Sequence, residues 1–325
     1  MCGPFVHNID PVIGEIASIY LWWYGASYTF GLLGAFFWIR RVRASLGYDM
    51  RDVYALTIIL SSGVLLGGRL VEVFFYEWSF YGNHLWHMAA LWIGGMSTHG
   101  ILLGAIASVW LFCRVLGKQF LPIADELAIA GAYIMGIGRL GNFIDGQIAG
   151  SMTNVCWAVQ FPDLDGFRHP VVLYDGIKNL LLVPVLLFVR SRRPPKGVVL
   201  GHFILWYGFL RIFVDLFREY RTELIGFPPG QEFNVLMGIL GLGLLVWAYK
   251  FQVGERTPDP VESLYKTGGH ASLLQRVSLA VLVAIPLIIP SDWTQDVPER
   301  YGARHEGMEH SALYPEIPDT QAAGP

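Results

Sequence analysis

Runs of about twenty mostly apolar residues recur along this chain, separated by short stretches rich in glycine, proline or charge. Eight such runs lie near residues 14–39, 53–75, 95–113, 121–137, 170–189, 198–217, 233–250 and 273–290. A helix of about 20 residues crosses the hydrocarbon core of a bilayer. The pattern therefore predicts an all-α integral membrane protein. It has a seven-helix transmembrane core over residues 1–252, a polar linker over 253–272, an eighth helix over 273–290 and a polar, loosely packed tail over 291–325. Composition agrees, since only 15% of the 325 residues are charged and 54% are hydrophobic, against about 25% charged in soluble domains.

The connections alternate in charge. Arg40, Arg41, Arg43 and Arg51 follow the first run, Arg114 and Lys118 the third, and Arg190, Arg192, Arg193 and Lys196 the fifth. Lys250, Arg256, Lys266 and Arg276 follow the seventh. The first thirteen residues and the stretch from Glu77 to Gly94 carry no Lys or Arg. By the positive-inside rule the N-terminus and the tail are expected outside and the basic connections in the cytoplasm. Trp22, Trp23, Trp78, Trp86 and Trp92 then fall near outer ends, as an aromatic belt does. The three cysteines, Cys2, Cys113 and Cys156, are too scattered for a metal or disulfide framework, and Cys2 is read as a free thiol. No internal repeat is visible, which weighs against a transporter of paired halves.

With this orientation, polar residues gather at the outer ends of several runs. Tyr24 lies in the first. Arg69 and Glu72, three residues apart in the second, share a helix face and are expected to pair. His99 opens the third. Arg139 and Asn142 follow the fourth, inside the glycine-rich stretch Gly138–Gly150 that also holds Gln147. His169, Tyr174 and Asp175 open the fifth. Tyr207, Arg211, Asp215 and Arg218 mark the sixth, the last three lying on one helical stripe. Gly230, Gln231 and Asn234 introduce the seventh. Asp125 and Glu126 stand at the opposite, cytoplasmic end, where acids suit a helix N-terminus.

Intramembrane arginines point to function by default. Two arginines can grip a phosphate through charge-assisted, bidentate hydrogen bonds. A phosphate beside apolar helices is most simply a phospholipid head group, and His99 can accept or relay a proton near neutral pH. No nucleophile elbow, HExxH pair or phosphate-binding loop is present. The reaction these groups suit is transfer of part of a phospholipid to an external acceptor, with the arginines stabilising a phosphate leaving group.

At these residues the chain resembles the bacterial phosphatidylglycerol–prolipoprotein diacylglyceryl transferases, from about Trp23 to Tyr249. The ordered motifs are Trp23-Tyr24-Gly25, Gly67-Gly68-Arg69-Leu70, Gly94-Gly95-Met96-Ser97 leading to His99-Gly100, Asp125, and Gly138-Arg139-Leu140-Gly141-Asn142-Phe143-Ile144 with Gly146 and Gly150. His169-Pro170 with Leu173-Tyr174, Tyr207-Gly208 with Arg211 and Arg218, and Gly230-Gln231 complete the series. The resemblance implies transfer of a diacylglyceryl group from phosphatidylglycerol to the lipobox cysteine of a prolipoprotein, in the bacterial inner membrane. Neither cofactor nor metal is implied, and the partners are the donor lipid, the lipobox peptide and membrane lipids, with no nucleic acid.

It further implies that Arg139 and Arg211 bind the phosphate, with His99 as base or relay for the thiol. Asn142 and Gly150 shape the loop around the head group, and Tyr24 and Tyr207 contact lipid or position the arginines. Gln147 and Asp215 complete the substrate-binding set. The family usually carries Glu where this chain has Gln147, Asp175 and Asp215, and its His-Gly-Gly pattern reads His99-Gly100-Ile101 here. Gln cannot take up a proton as Glu can. Two readings therefore remain side by side, a transferase and a paralogue that binds phospholipid without catalysis or serves as a subunit of a membrane complex.

Overall fold

A computed structural model of the chain describes residues 4–162, 164–219, 231–252, 269–291 and 313–314. The architecture is helical. Two short strands, β1 (Phe5–Val6) and, later in the chain, β4 (Val159–Gln160), pair in parallel, while β2 (Val12–Ile16) and β3 (Ile19–Trp22) form an antiparallel hairpin. The long helices are α1 (Trp23–Val42), α2 (Met50–Val71), α4 (Thr98–Leu116), α5 (Phe120–Ile144), α6 (Val171–Ser191), α7 (Val198–Asp215) and α8 (Gln231–Phe251). A single turn, α3 (Trp78–Tyr81), precedes α4, and α9 (Leu273–Ala284) continues as a 3-10 turn, Ile285–Ile288. Among the described residues, six helices are long and apolar enough to cross a membrane, namely α2 with its extension to Tyr76, α4, α5, α6, α7 and α8; α1 and the shorter α9, counted among the eight expected spans, do not reach that measure. Large apolar side chains such as Leu102, Leu103, Ile106 and Trp110 on α4 stay exposed, as lipid-facing surfaces do.

The apolar pattern misplaced the first run. Residues 14–22 form most of the β2–β3 hairpin, not the first turns of a helix. Ala17 and Ser18 both have positive φ, 51° and 63°, which reverses the chain as in a type I′ turn. Within β3, Tyr20 and Trp22 are buried while their neighbours are not, so the segment has a strand's period of two. Trp22 is fully buried and does not join an aromatic belt. At the other end of the run, α1 continues past residue 39 to Val42.

Helix–helix contacts explain the glycines. Gly63 and Gly67 on α2 face Gly100 and Gly104 on α4, where any Cβ would strike the partner backbone. Such small-residue faces let membrane helices pack closely. Antiparallel to α1, α5 places Gly141 where a Cβ would lie 2.9 Å from the Tyr24 Cα. At the other end of this pair, Trp38 Nε1 donates to Glu126 Oε2 at 3.1 Å, and Glu126 also pairs with Arg190 at 2.7 Å. Asp125 does not serve its own helix. Its carboxylate accepts from the backbone N–H of Gly197 at 2.7 Å and of Leu200 at 2.8 Å, capping the start of α7. That cap ties the starts of α5 and α7 to one level.

Three further expectations change. Arg69 and Glu72 form no ion pair. The guanidinium of Arg69 instead donates to the carbonyls of His87, Met88, Ala90, Gly94 and Gly95 and lies over the Tyr81 ring at 4.9 Å. It thus organises the connection between α2 and α4 from inside. Cys156 is disulfide-bonded, whereas Cys113 is a buried free thiol. No spacing rule revealed a bridge, because the β1–β4 pairing that folds the N-terminal strand against residues 159–160 spans about half the chain. Cys2 lies outside the described residues. Two residues of the predicted loose tail are well packed, since Tyr314 Oη accepts from Tyr20 N–H at 3.1 Å and the Leu313 carbonyl accepts from Trp92 Nε1 at 2.9 Å. The rest of the tail from residue 292, the linker over 253–268 and Gly230 lie outside the described residues.

Candidate functional site

Helix α5 runs six residues beyond Gly138, so Arg139 and Asn142 belong to its last turns and do not follow it as expected. This extension carries Arg139 across to α6, where Gly176 leaves room for its stem. A Cβ on Gly176 would stand 3.1 Å from the Arg139 Cβ. Arg139 Nε then reaches Asp175 Oδ2 at 2.7 Å, and Nη1 donates to Asn142 Oδ1 at 3.2 Å.

Arg211 arrives from α7 at the same carboxylate, with Nη1 2.6 Å from Asp175 Oδ2. Lys178, one turn along α6, places Nζ 2.9 Å from Asp175 Oδ1 and 4.0 Å from the centroid of the Tyr207 ring. Arg211 Nε also pairs with Asp215 Oδ1 at 3.2 Å. Arg218 stands at 4.0 Å from that same oxygen, and Asn234 of α8 donates to Asp215 Oδ2 at 3.0 Å. Four cations thus meet two carboxylates, leaving a net charge of +2. The Asp175 side chain is 2% exposed, whereas those of Arg139 and Arg218 are 27% and 30% exposed. The acid is buried, and part of each of these two arginine side chains remains open. A net positive, partly accessible cluster at the end of apolar helices is suited to an anionic head group.

The loop after α5 closes one side. Gly150 N–H donates to the His169 carbonyl at 2.9 Å, Ser151 N–H donates to the Phe217 carbonyl at 2.8 Å, and Gly150 bridges Arg218. A Cβ at Gly150 would fall 2.8 Å from the His169 carbonyl oxygen, so only glycine fits without a shift. Arg168 clasps the same loop, donating to the Gly150 carbonyl at 3.2 Å and pairing with Glu219. Gln147 is half-buried beside this loop. Its backbone N–H donates to the Asn142 carbonyl at 3.0 Å, while the side-chain Nε2 is buried without a hydrogen-bond partner. His169 Nδ1 and Trp157 Nε1 both reach Tyr174 Oη, at 3.0 and 2.7 Å.

Of the residues singled out in the sequence, Arg139, Asn142, Arg211 and Asp215 join one network through Asp175. Tyr207 enters it through Lys178. Tyr24 stands one turn from Tyr28, with hydroxyls 3.4 Å apart, and close enough to Arg139 to feel its charge. Gly150 and Gln147 border the network. His99 is not in contact with it. That side chain is exposed at the start of α4, with Nδ1 3.1 Å from Tyr76 Oη. Lys178 went unnoticed in the sequence, although a lysine within an apolar helix, three residues from an aspartate, carries both signals that identify such a site.

Beside Arg69, the connection from α2 to α4 holds a buried acid. Burial, then the neighbouring Glu72 carboxylate, push Glu77 from its ordinary 4.5 up to about 8, with Arg69 opposing. Between these values the folded state keeps a proton that the unfolded chain loses. Its stabilising contribution is therefore full below pH 4.5 and is lost as pH rises through 8. Thermal unfolding in detergent is expected to show wild type losing stability between pH 5.5 and 8.5 relative to Glu77→Gln. Parallel pH profiles for the two would remove Glu77 as the cause.

The fold and this cluster define a polytopic membrane protein with a net positive polar cluster at one end of its helices. The particular family follows from comparison with known proteins. The family model for prolipoprotein diacylglyceryl transferase matches residues 11–247. A protein from Geobacter sulfurreducens named phosphatidylglycerol–prolipoprotein diacylglyceryl transferase is 38% identical over 255 residues, covering 76% of this chain and 98% of that protein. Proteins of the same name from Pseudoalteromonas atlantica and Vibrio vulnificus are 37% and 38% identical, covering 79% and 75% of this chain and 95% and 93% of their own lengths. The chain belongs to the prolipoprotein diacylglyceryl transferase family.

Proposed function

We propose that this chain transfers the diacylglyceryl group of phosphatidylglycerol to the lipobox cysteine of a prolipoprotein. The sulfur attacks the glyceryl carbon attached to the phosphate oxygen. A carbon–sulfur bond forms, the carbon–oxygen bond breaks with its electrons moving to that oxygen, and glycerol phosphate leaves. We assign the thiol proton to His99, whose Nδ1 is paired with Tyr76 Oη. A cysteine thiol ordinarily titrates near 8.5 and its thiolate is the nucleophile, so a base raises the reactive fraction.

One observation carries the proposal. In a member of this family, Arg139 and Arg211 come from separate helices to a single shared carboxylate, Asp175. The phosphate goes from one negative charge in the diester towards two in the departing monoester. A fixed +2 cluster favours the second more than the first. Interactions that strengthen only as charge develops lower the barrier instead of merely binding the donor. Tyr24, Asn142, Gly150, Tyr207 and Asp215 frame the head group, and Gln147 lies at the edge of the same cluster.

The same reading puts the cluster at the extracytoplasmic leaflet of the bacterial inner membrane, with the N-terminus on that side. Support comes from Arg40, Arg41, Arg114, Arg190 and Lys250 at the helix ends opposite the cluster, and from disulfide-bonded Cys156 near it, since disulfides persist in oxidising compartments. Purified protein given phosphatidylglycerol and a lipobox peptide is expected to release glycerol phosphate.

A second reading, a lipid-binding paralogue, is favoured by the unpartnered amide of Gln147. Lipid that binds without release of glycerol phosphate is the result that would establish it. Because Asp175 and Asp215 already supply the carboxylates of the network, Gln147→Glu is expected to change turnover by less than about threefold. A gain of about tenfold, worth roughly 1.4 kcal/mol of barrier, would show that the site lacks a needed acid.

A further inference from the structure

At the end of the bundle opposite Asp175, α1, α2 and α9 enclose a second basic site. A pocket of about 390 Å³ is lined by Arg40, Arg43, Met50, Tyr54, His270 and Arg276. Among the described residues, the guanidinium of Arg43 donates only to the Arg40 carbonyl, at 3.3 Å. Among the described residues, no carboxylate lines the pocket. Two acids at the start of α2 are otherwise engaged, Asp49 and Asp52 as a reciprocal cap and Asp52 again with Lys118 at 2.6 Å. The N-terminus of α9 opens here too, behind its Ser272 cap, and adds the positive end of its dipole. Arg51 Nε donates to the His270 carbonyl at 3.2 Å, tying this end of α9 to α2.

The surroundings of the arginines are apolar. Phe37 on α1 is 55% exposed, and Leu273, Leu274 and Val277 on α9 are 77%, 76% and 51% exposed. An anion that satisfied the guanidinium groups here would have hydrocarbon beside it. The geometry points to a structural binding site for the phosphate of an anionic phospholipid, whose head group bridges α1 and α9 while its acyl chains lie along Phe37 and the exposed face of α9. This site is separate from the Asp175 cluster and does not depend on its function. It uses residues of α9, which lies beyond the segment matched by the family model, so it is a property of this chain's added helix.

The test uses native mass spectrometry of the full chain in detergent, titrated with dioleoyl phosphatidic acid, dioleoyl phosphatidylcholine or inorganic phosphate. The double variant Arg40→Gln/Arg276→Gln is expected to lose one bound phosphatidic acid, or to hold it about thirtyfold more weakly, as two fewer basic residues near a head group predict. Arg40→Lys/Arg276→Lys keeps the charge and is expected to retain it, which separates loss of charge from misfolding. Arg139→Ala is expected to leave this binding event unchanged, and the Gln variant is expected to leave transfer unchanged in detergent. Equal binding of phosphatidylcholine, unchanged phosphatidic acid binding in the Gln variant, or displacement of the lipid by an equal concentration of inorganic phosphate would each overturn the assignment.

Discussion

Arg139→Ala is expected to lower glycerol phosphate release by about 10²–10³-fold, the usual cost of removing one donor that stabilises developing charge, while helix content stays that of the wild type. Three observations combine to give this size. The Arg139 side chain is 27% exposed although it lies within α5, so protein does not close over it completely. Asp175 and Asn142 hold it from two sides, so it is preorganised before lipid arrives. Gly176 leaves space for its stem, so the side chain cannot relax elsewhere without losing both partners. Arg139→Lys is expected to fall between the two, because an ammonium keeps the charge but not the planar fork. Release assays on purified protein, paired with circular dichroism, decide the point. Activity of Arg139→Ala within about threefold of wild type, a barrier change below 1 kcal/mol, would remove Arg139 from the reaction.

Asp175→Asn is expected to act on stability as much as on chemistry. Its carboxylate is the common partner of Arg139, Arg211 and Lys178. Neutralising it leaves three cations facing one another with only Asp215 nearby. Breaking a buried pair from one side typically costs about 3–5 kcal/mol because the remaining charge is uncompensated. Thermal unfolding in detergent measures this. Added phosphatidylglycerol is expected to restore part of the lost stability, since a lipid phosphate supplies the missing negative charge, and Asp175→Glu is expected to stay near wild type. An Asp175→Asn protein as stable as its parent would mean that the three cations are neutralised by something other than this carboxylate.

Much of this was legible in residue order. A twenty-residue apolar run is long enough to cross a bilayer, so the helical membrane class and the basic connections could be read directly, although six described helices, not eight, are long and apolar enough to span. Polar groups inside such runs are costly enough that Arg139 and Arg211 drew notice singly. The glycine-rich motifs pointed to close approaches, and Gly67, Gly100 and Gly150 now have theirs. Less legible were the ends of elements. Hydropathy is blind to the difference between the strands of residues 14–22 and a helix, since both bury apolar side chains. It also ended the fourth run before Arg139, because a charged residue lowers the average even when it sits on an unbroken helix. Arg69 shows the same blindness in another form. Its spacing from Glu72 suggested an ion pair, whereas its partners are five carbonyls of a loop up to 26 residues away, whose positions depend on how the loop folds.

By itself, then, the order of residues determined the helical membrane class, the polarity of its connections and the identity of the two arginines, because each follows from local length, charge or cost of burial. Only the tertiary structure decided that those arginines converge on Asp175, that Lys178 joins them, that His99 stands apart beside Tyr76, and that Cys156 is bridged. These are contacts between segments far apart in the chain, and their geometry depends on how α5, α6 and α7 pack, which the spacing of residues along any one helix does not encode.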